Sequence, residues 1–172
     1  MDETGNLPSE KLLRDSPMHR RHLLWTLAAF SLSSVAGCAK TEPVTRAYNP
    51  PLYPNETPEL RKKINYWADH YEVPRSLVHR LAVRESTHRP WATNSPYYGL
   101  LQILPATARS MGFKGKPKDL LDADTNLKFA VRYLRGAWMI SDGSHDNAVK
   151  HYSRGYYYEA KRRGMLEETG LR

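Results

Sequence analysis

One carboxylate of this chain sits where ionisation is costly. Leu77, Val78, Leu81 and Ala82 recur at helical spacing after Pro74. Glu85 comes four residues after Leu81 and three after Ala82, so a helix places it on the apolar side, away from Arg75, His79 and Arg84. A carboxyl there is paired, hydrogen-bonded, or kept neutral by its low-polarity surroundings, and a neutral carboxyl is a proton donor near neutral pH. The alternative is a last-turn glutamate at the surface. No second carboxylate is close in sequence; the nearest are Glu72 and Asp119. The chain has no glycine-rich phosphate loop, no His-x-x-x-His metal pair and no Gly-x-Ser-x-Gly elbow. No metal or cofactor is expected. His70, His79, His88, His145 and His151 are scattered among basic and aromatic residues and read as surface histidines.

The elements that must position Glu85 are helical. Thr57-Pro58-Glu59 has the form of a helix start: a capping hydroxyl, proline in the first turn and an early acid. Ile64, Trp67, Ala68 and Tyr71 follow at helical spacing, and a second helix starts near Pro74. Thr87 to Tyr98 is rich in turn formers and reads as a loop. Gly99 to Ile103 is a short apolar run broken by Gln102. Pro105 opens a short helix that Gly112 closes, and 113–121 reads as a basic loop. Asp122 or Asp124 caps a longer helix carrying Leu127, Ala130, Val131, Leu134 and Trp138, with Gly143 as its stop. A helix over 146–152 and a last one over 156–163 complete the pattern. No strand alternation appears. The expectation is an all-α domain of about six helices over 57–172.

The 172 residues hold 26 Lys and Arg against 18 Asp and Glu, a net charge of +8. The composition suits a globular core and excludes collagen-like or wholly disordered chains. The single cysteine excludes an internal disulfide framework and a cysteine zinc cluster. An anionic partner is expected: nucleic acid, membrane surface or an acidic polymer.

The N-terminal segment narrows that choice. Polar residues 1–22 end in His19-Arg20-Arg21-His22, and an apolar run from Leu23 to Gly37 follows, short for a bilayer span. This is the form of an export signal. Val35-Ala36-Gly37-Cys38 resembles the lipobox of bacterial lipoproteins, which implies cleavage before Cys38 and acylation of that residue. A soluble exported protein is the alternative. Arg20-Arg21 with Leu23-Leu24 also resembles a twin-arginine signal. Residues 1–37 hold four basic and four acidic residues, so the +8 belongs to the exported part. Residues 38–56, with Pro43, Pro50, Pro51 and Pro54, read as a semi-extended tether. The resemblance implies a periplasmic protein held by lipid, with Ala39 favouring the outer membrane. Export makes nucleic acid an unsuitable partner.

Three ordered motifs carry a second resemblance. Glu85-Ser86, then Tyr98-Gly99-Leu100-Leu101-Gln102 with Pro105-Ala106-Thr107-Ala108 behind it, then Asp122 to Asn126, are similar to the soluble-lytic-transglycosylase (SLT) domain, related to goose-type lysozyme. The similarity covers about 60–158. It implies a peptidoglycan lytic transglycosylase, a monomer, cleaving the β-1,4 bond between MurNAc and GlcNAc and leaving a 1,6-anhydro-MurNAc end. Glu85 would be the single acid and then base. Ser86 and Gln102 would position Glu85 or the sugar, and Tyr152 would donate toward Glu85. Gly99 would let the backbone approach the glycan, Leu101 would touch sugar, and Tyr98 would line the groove with Tyr97. Leu101 replaces the usual Met. His151-Tyr152-Ser153-Arg154-Gly155 replaces Ala-Tyr-Asn-Ala-Gly, so Ser153 stands at a substrate-contacting position. The alternatives are a non-catalytic peptidoglycan-binding lipoprotein and a hydrolytic muramidase.

Overall fold

The computed structural model describes residues 50–172. Cys38, the export signal and the first part of the expected tether lie outside the described residues.

Six α-helices make up the described domain: α1 Pro58–His70, α2 Arg75–Ser86, α3 Pro105–Ser110, α4 Ala123–Met139, α5 His145–Arg154 and α6 Tyr157–Arg162. The all-α expectation holds. Local chemistry sets most of the boundaries. Thr57 Oγ1 accepts from the Leu60 N–H at 3.1 Å, and Pro58 occupies the first turn of α1. Asp122 rather than Asp124 caps α4, accepting from the Thr125 N–H at 2.8 Å. Asp124 instead accepts from Trp67 Nε1 at 3.1 Å and from Lys63, tying α4 to α1. Ser144 caps α5 through the Asn147 N–H.

Helix α4 is the centre of the bundle. Leu127, Ala130, Val131, Leu134 and Ala137 are fully buried along it. They pack with Ile64 of α1, Leu77 and Leu81 of α2, and Ala148 of α5 in one apolar core. Burying each of the Leu, Ile and Val side chains among them is worth about 1.5–3 kcal/mol.

Three expectations are corrected. The Thr87–Tyr98 stretch contains a small antiparallel hairpin, β1 Thr93–Asn94 with β2 Tyr97–Tyr98, pairing Thr93 with Tyr98. Two-residue strands are too short to show an alternating pattern. The basic loop holds a 3₁₀ helix, Pro117–Leu121, whose Leu120 is fully buried. The described end of the expected tether is docked: Arg61 donates to the carbonyls of Pro50 and Pro51, and Asn55 Nδ2 donates to the Thr87 carbonyl at 3.0 Å.

The histidine reading also changes. His79 and His88 are buried. Their facing nitrogens, Nδ1 and Nε2, lie 3.2 Å apart, and both rings stack on Tyr53. His79 Nδ1 is 3.5 Å from Glu56 Oε1. Arg61 donates to both oxygens of Glu56, at 2.9 and 2.5 Å, and so balances the carboxylate's charge inside the core. Burial lowers His79 to about 4 and lowers His88 as well. Burial raises Glu56, but Arg61, the Tyr53 N–H and the two histidines outweigh it and hold the carboxyl below its ordinary value. The helix period had put His79 on the wet side of α2; segment 50–56 lies over it and removes it from water.

Candidate active site

Helix α2 ends at Ser86, and Thr87 takes a left-handed conformation, φ +52°. Glu85 therefore stands in the last turn of α2. The segment from Gly99 to Ile103 closes against that end. It starts from the hairpin: Tyr98 and Ile103 exchange backbone hydrogen bonds at 3.1 Å in both directions. Gly99 has φ +77° and Gln102 φ +47°, so the chain makes a tight loop between them. Gln102 holds this loop itself: its Nε2 donates to Gly99 O at 2.8 Å and Ala92 O at 3.0 Å.

Asn126 is the hub behind the loop. It is completely buried. Its Oδ1 accepts from the Leu101 N–H, and its Nδ2 donates to the carbonyls of Tyr98 and Leu120, all at 2.9 Å. Both amide hydrogens are used and the oxygen accepts once. The resemblance marks Asn126 as part of a helix start; its buried bonds to the Gly99–Ile103 loop are visible only in the fold.

A cleft of about 650 Å³ opens between α2, the hairpin, the Gln102 loop and α5. Glu85, Gln102, Tyr152 and Ser153 all line it, with Tyr97 and Tyr133. These residues span the chain, yet meet at one surface. Glu85 is the one carboxylate among the lining residues. Its side chain is 21% exposed, and it pairs with Arg84 Nε at 3.5 Å. Burial raises its pKa above the ordinary 4.5, and Arg84 opposes this only in part. Glu85 is thus half-buried in the cleft wall rather than a free surface glutamate.

Tyr152 is buried beside it. Its hydroxyl donates to the Leu101 carbonyl at 2.9 Å. Burial, with the charge of Glu85 adding, pushes its pKa well above 10.0, so the hydroxyl keeps its proton. The expected donation toward Glu85 is replaced by this bond to the loop. Tyr133 meets the Tyr152 ring edge to face at 5.4 Å and is pushed up to about 12 by burial.

Three expected sugar contacts lie behind the cleft wall. Ser86 is buried; its Oγ donates to the Leu100 carbonyl at 2.7 Å and accepts from the Arg89 N–H at 3.1 Å, joining α2 to the loop. Leu101 is fully buried in the core, where a side chain the size of Met is needed for packing. Gly99 approaches protein rather than glycan: a Cβ there would fall 2.1 Å from Leu120 O and 2.3 Å from Asn126 Nδ2. Tyr98 is half-buried and packed on the core, while its neighbour Tyr97 faces the cleft. Ser153 is exposed at the cleft, with its Oγ turned back to Val149 O at 3.0 Å. Sequence reasoning did not select Asn94, Thr107 or Arg154 as lining residues; only chain folding brings them there.

The arrangement offers one carboxyl, its pKa raised by burial, in the wall of an open cleft also lined by Tyr97, Tyr133 and Tyr152. No curated protein and no solved structure matches the sequence. Residues 62–164 match the family model described as the transglycosylase SLT domain, a range that holds Glu85, the Gln102 loop, Asn126 and Tyr152, and the chain accordingly belongs to that peptidoglycan-acting family.

Proposed function

We propose that this protein is a peptidoglycan lytic transglycosylase that cleaves the β-1,4 bond between MurNAc and GlcNAc with Glu85 as its only acid and base. The observation that carries the reading is Glu85 itself: a half-buried carboxyl with a raised pKa, unaccompanied by another carboxylate in the cleft lining. Most glycosidases need a second carboxylate as nucleophile or base; substrate-assisted cleavage does not. In the first half-reaction the Glu85 proton passes to the glycosidic oxygen, the C1–O bond breaks and GlcNAc departs. The carbonyl oxygen of the MurNAc 2-acetamido group attacks C1 and stabilises the oxocarbenium-like centre. In the second, the Glu85 carboxylate takes the proton of the C6 hydroxyl, whose oxygen attacks C1 and displaces the amide oxygen. Protons balance, no water is consumed, and Glu85 ends as it began. The C6 hydroxyl is already tethered to the reacting ring, so its effective concentration is high.

Gln102 Nε2 fixes the loop under the cleft, and Tyr152 holds the loop's Leu101 carbonyl from the opposite side. Ser153, in place of the family's Asn, changes a contact to substrate rather than the proton-transfer group. The test is mass analysis of products from purified sacculi. Wild type should release muropeptides lighter by one water than hydrolytic products. Glu85→Gln should lower release by about 10² to 10⁴ while leaving sacculus binding intact. Products with an ordinary reducing end would indicate a muramidase. Binding without any release by wild type would indicate a scaffold protein.

The lipobox-like Val35-Ala36-Gly37-Cys38 supports placing the protein in the periplasm, anchored through Cys38 to the outer membrane. Labelled fatty acid should enter the wild-type protein and not Cys38→Ser. A mature N-terminus elsewhere, without acyl label, would refute the anchor.

A further inference from the structure

A second groove of about 340 Å³ adjoins the cleft and shares Arg84, Ser153 and Arg154 with it. Its walls are cationic. Arg80 and Arg84 stand one turn apart on α2, and Lys150 and Arg154 one turn apart on α5. Like charges at this spacing weaken a helix. Two such pairs converge on a single groove, and the acid lining it is Asp146, which pairs with Arg80. Lys150 and Arg154 are exposed and pair with no acidic side chain among the described residues. Arg154 gains from the C-terminal end of α5, where a cation is favoured, but Arg80 and Lys150 do not sit at such ends. The groove thus concentrates positive charge against an open surface with too few internal counter-ions. Such a site awaits an anion.

We infer that this groove binds the carboxylates of the peptide stems that branch from a glycan strand lying in the cleft, and that it makes the enzyme prefer peptide-bearing over naked strands. The inference rests on the cleft's taking peptidoglycan, as proposed above. Continuity carries it further. A strand positioned at Glu85 passes Arg84 and Ser153, and the groove begins at those residues. A branch leaving that strand enters between α2 and α5, where a guanidinium can hold a carboxylate through two parallel hydrogen bonds. The substituted third motif fits the same picture: Ser153-Arg154 narrows the polar contact to the sugar and adds a cation where the two grooves meet.

The test uses Lys150, which lines only the second groove. Wild type, Lys150→Glu and Lys150→Arg are compared on intact sacculi strands and on the same strands stripped of peptide by an amidase. Wild type should show the lower KM on peptide-bearing strands. Lys150→Glu should raise that KM by about fivefold, the scale of one exposed ionic contact, with kcat and the naked-strand KM unchanged. Lys150→Arg should restore the preference, and added salt should erode it. The same comparison by co-sedimentation in a Glu85→Gln background reads binding without turnover. It therefore decides the inference even if wild type proves inactive and the catalytic reading falls. Equal weakening on both strands, or no preference in wild type, overturns the peptide-stem assignment.

Discussion

The Tyr152 hydroxyl donates to the Leu101 carbonyl at 2.9 Å, a buried bond between residues 51 apart in sequence. It closes α5 onto the loop that forms the floor of the cleft, with the Glu85 side chain alongside. Tyr152→Phe keeps the ring and its packing on Tyr133 but leaves a buried carbonyl unpaired. The expected cost is about 1–3 kcal/mol in urea unfolding. Turnover should fall with it, because the loop carrying Gln102 loses its tie from α5. A variant with unchanged stability would show that the carbonyl finds another donor.

Gly99 and Asn126 form a second such lock. Gly99→Ala would force a Cβ against Leu120 O and the Asn126 amide in a backbone conformation that disfavours alanine. Asn126→Ala removes the partners of the buried Leu101 N–H and Leu120 carbonyl, and one of the two donors to the Tyr98 carbonyl, which keeps the Ile103 N–H. Each orphaned group costs about 1–3 kcal/mol, so Asn126→Ala should be among the most damaging single changes in the domain. Thermal melts of both variants check this; a melting temperature near wild type for Asn126→Ala would refute the hub.

Glu85 should cost stability as pH rises. Its folded-state pKa lies above the ordinary 4.5, so the native protein holds a proton that the unfolded chain has already lost. Below pH 4.5 both states are protonated and nothing is lost; as pH climbs through the folded-state value the favourable contribution disappears. Glu85→Gln removes this dependence. Its melting temperature relative to wild type should therefore be higher at pH 7 than at pH 4. A constant difference across that range would mean that Glu85 is not biased toward its neutral form.

The Glu56 cluster should behave in the opposite sense. Burial lowers His79 to about 4 and lowers His88 too, so the unfolded chain binds protons first as pH falls from 6.5. Their contribution is complete above pH 6.5 and is lost toward pH 4. Glu56, held below 4.5, adds a loss at still lower pH. Glu56→Gln at pH 7 removes the buried carboxylate that Arg61 pairs with and should cost about 3–5 kcal/mol by urea unfolding. A cost under 1 kcal/mol would mean that segment 50–56 contributes little to the domain.

The sequence by itself determined most of the helices and the apolar-side place of Glu85, because both depend on near neighbours. Thr57, Pro58, Pro105 and Asp122 act through capping bonds and backbone geometry within a turn, and the 3.6-residue period places Glu85 beside Leu81 and Ala82, whereas α4 ends at Met139, ahead of the stop read at Gly143. The motifs around Glu85, Gln102 and Tyr152 marked which residues would meet. Tertiary structure decided what each of them does when they meet. Ser86, Gly99 and Leu101 stand in the same motifs as the cleft residues, yet they are turned to the interior: Ser86 lies a helical step round from Glu85 on α2, and the tight loop packs Gly99 and Leu101 against Asn126. His79 reads as solvated until segment 50–56, with Tyr53 and Glu56, folds over α2, a long-range contact that leaves no periodic trace. The hairpin was too short to signal itself. The basic groove needed two helices, 66 residues apart at Arg80 and Asp146, to come side by side. Its charge was legible in the sequence, but its convergence was not.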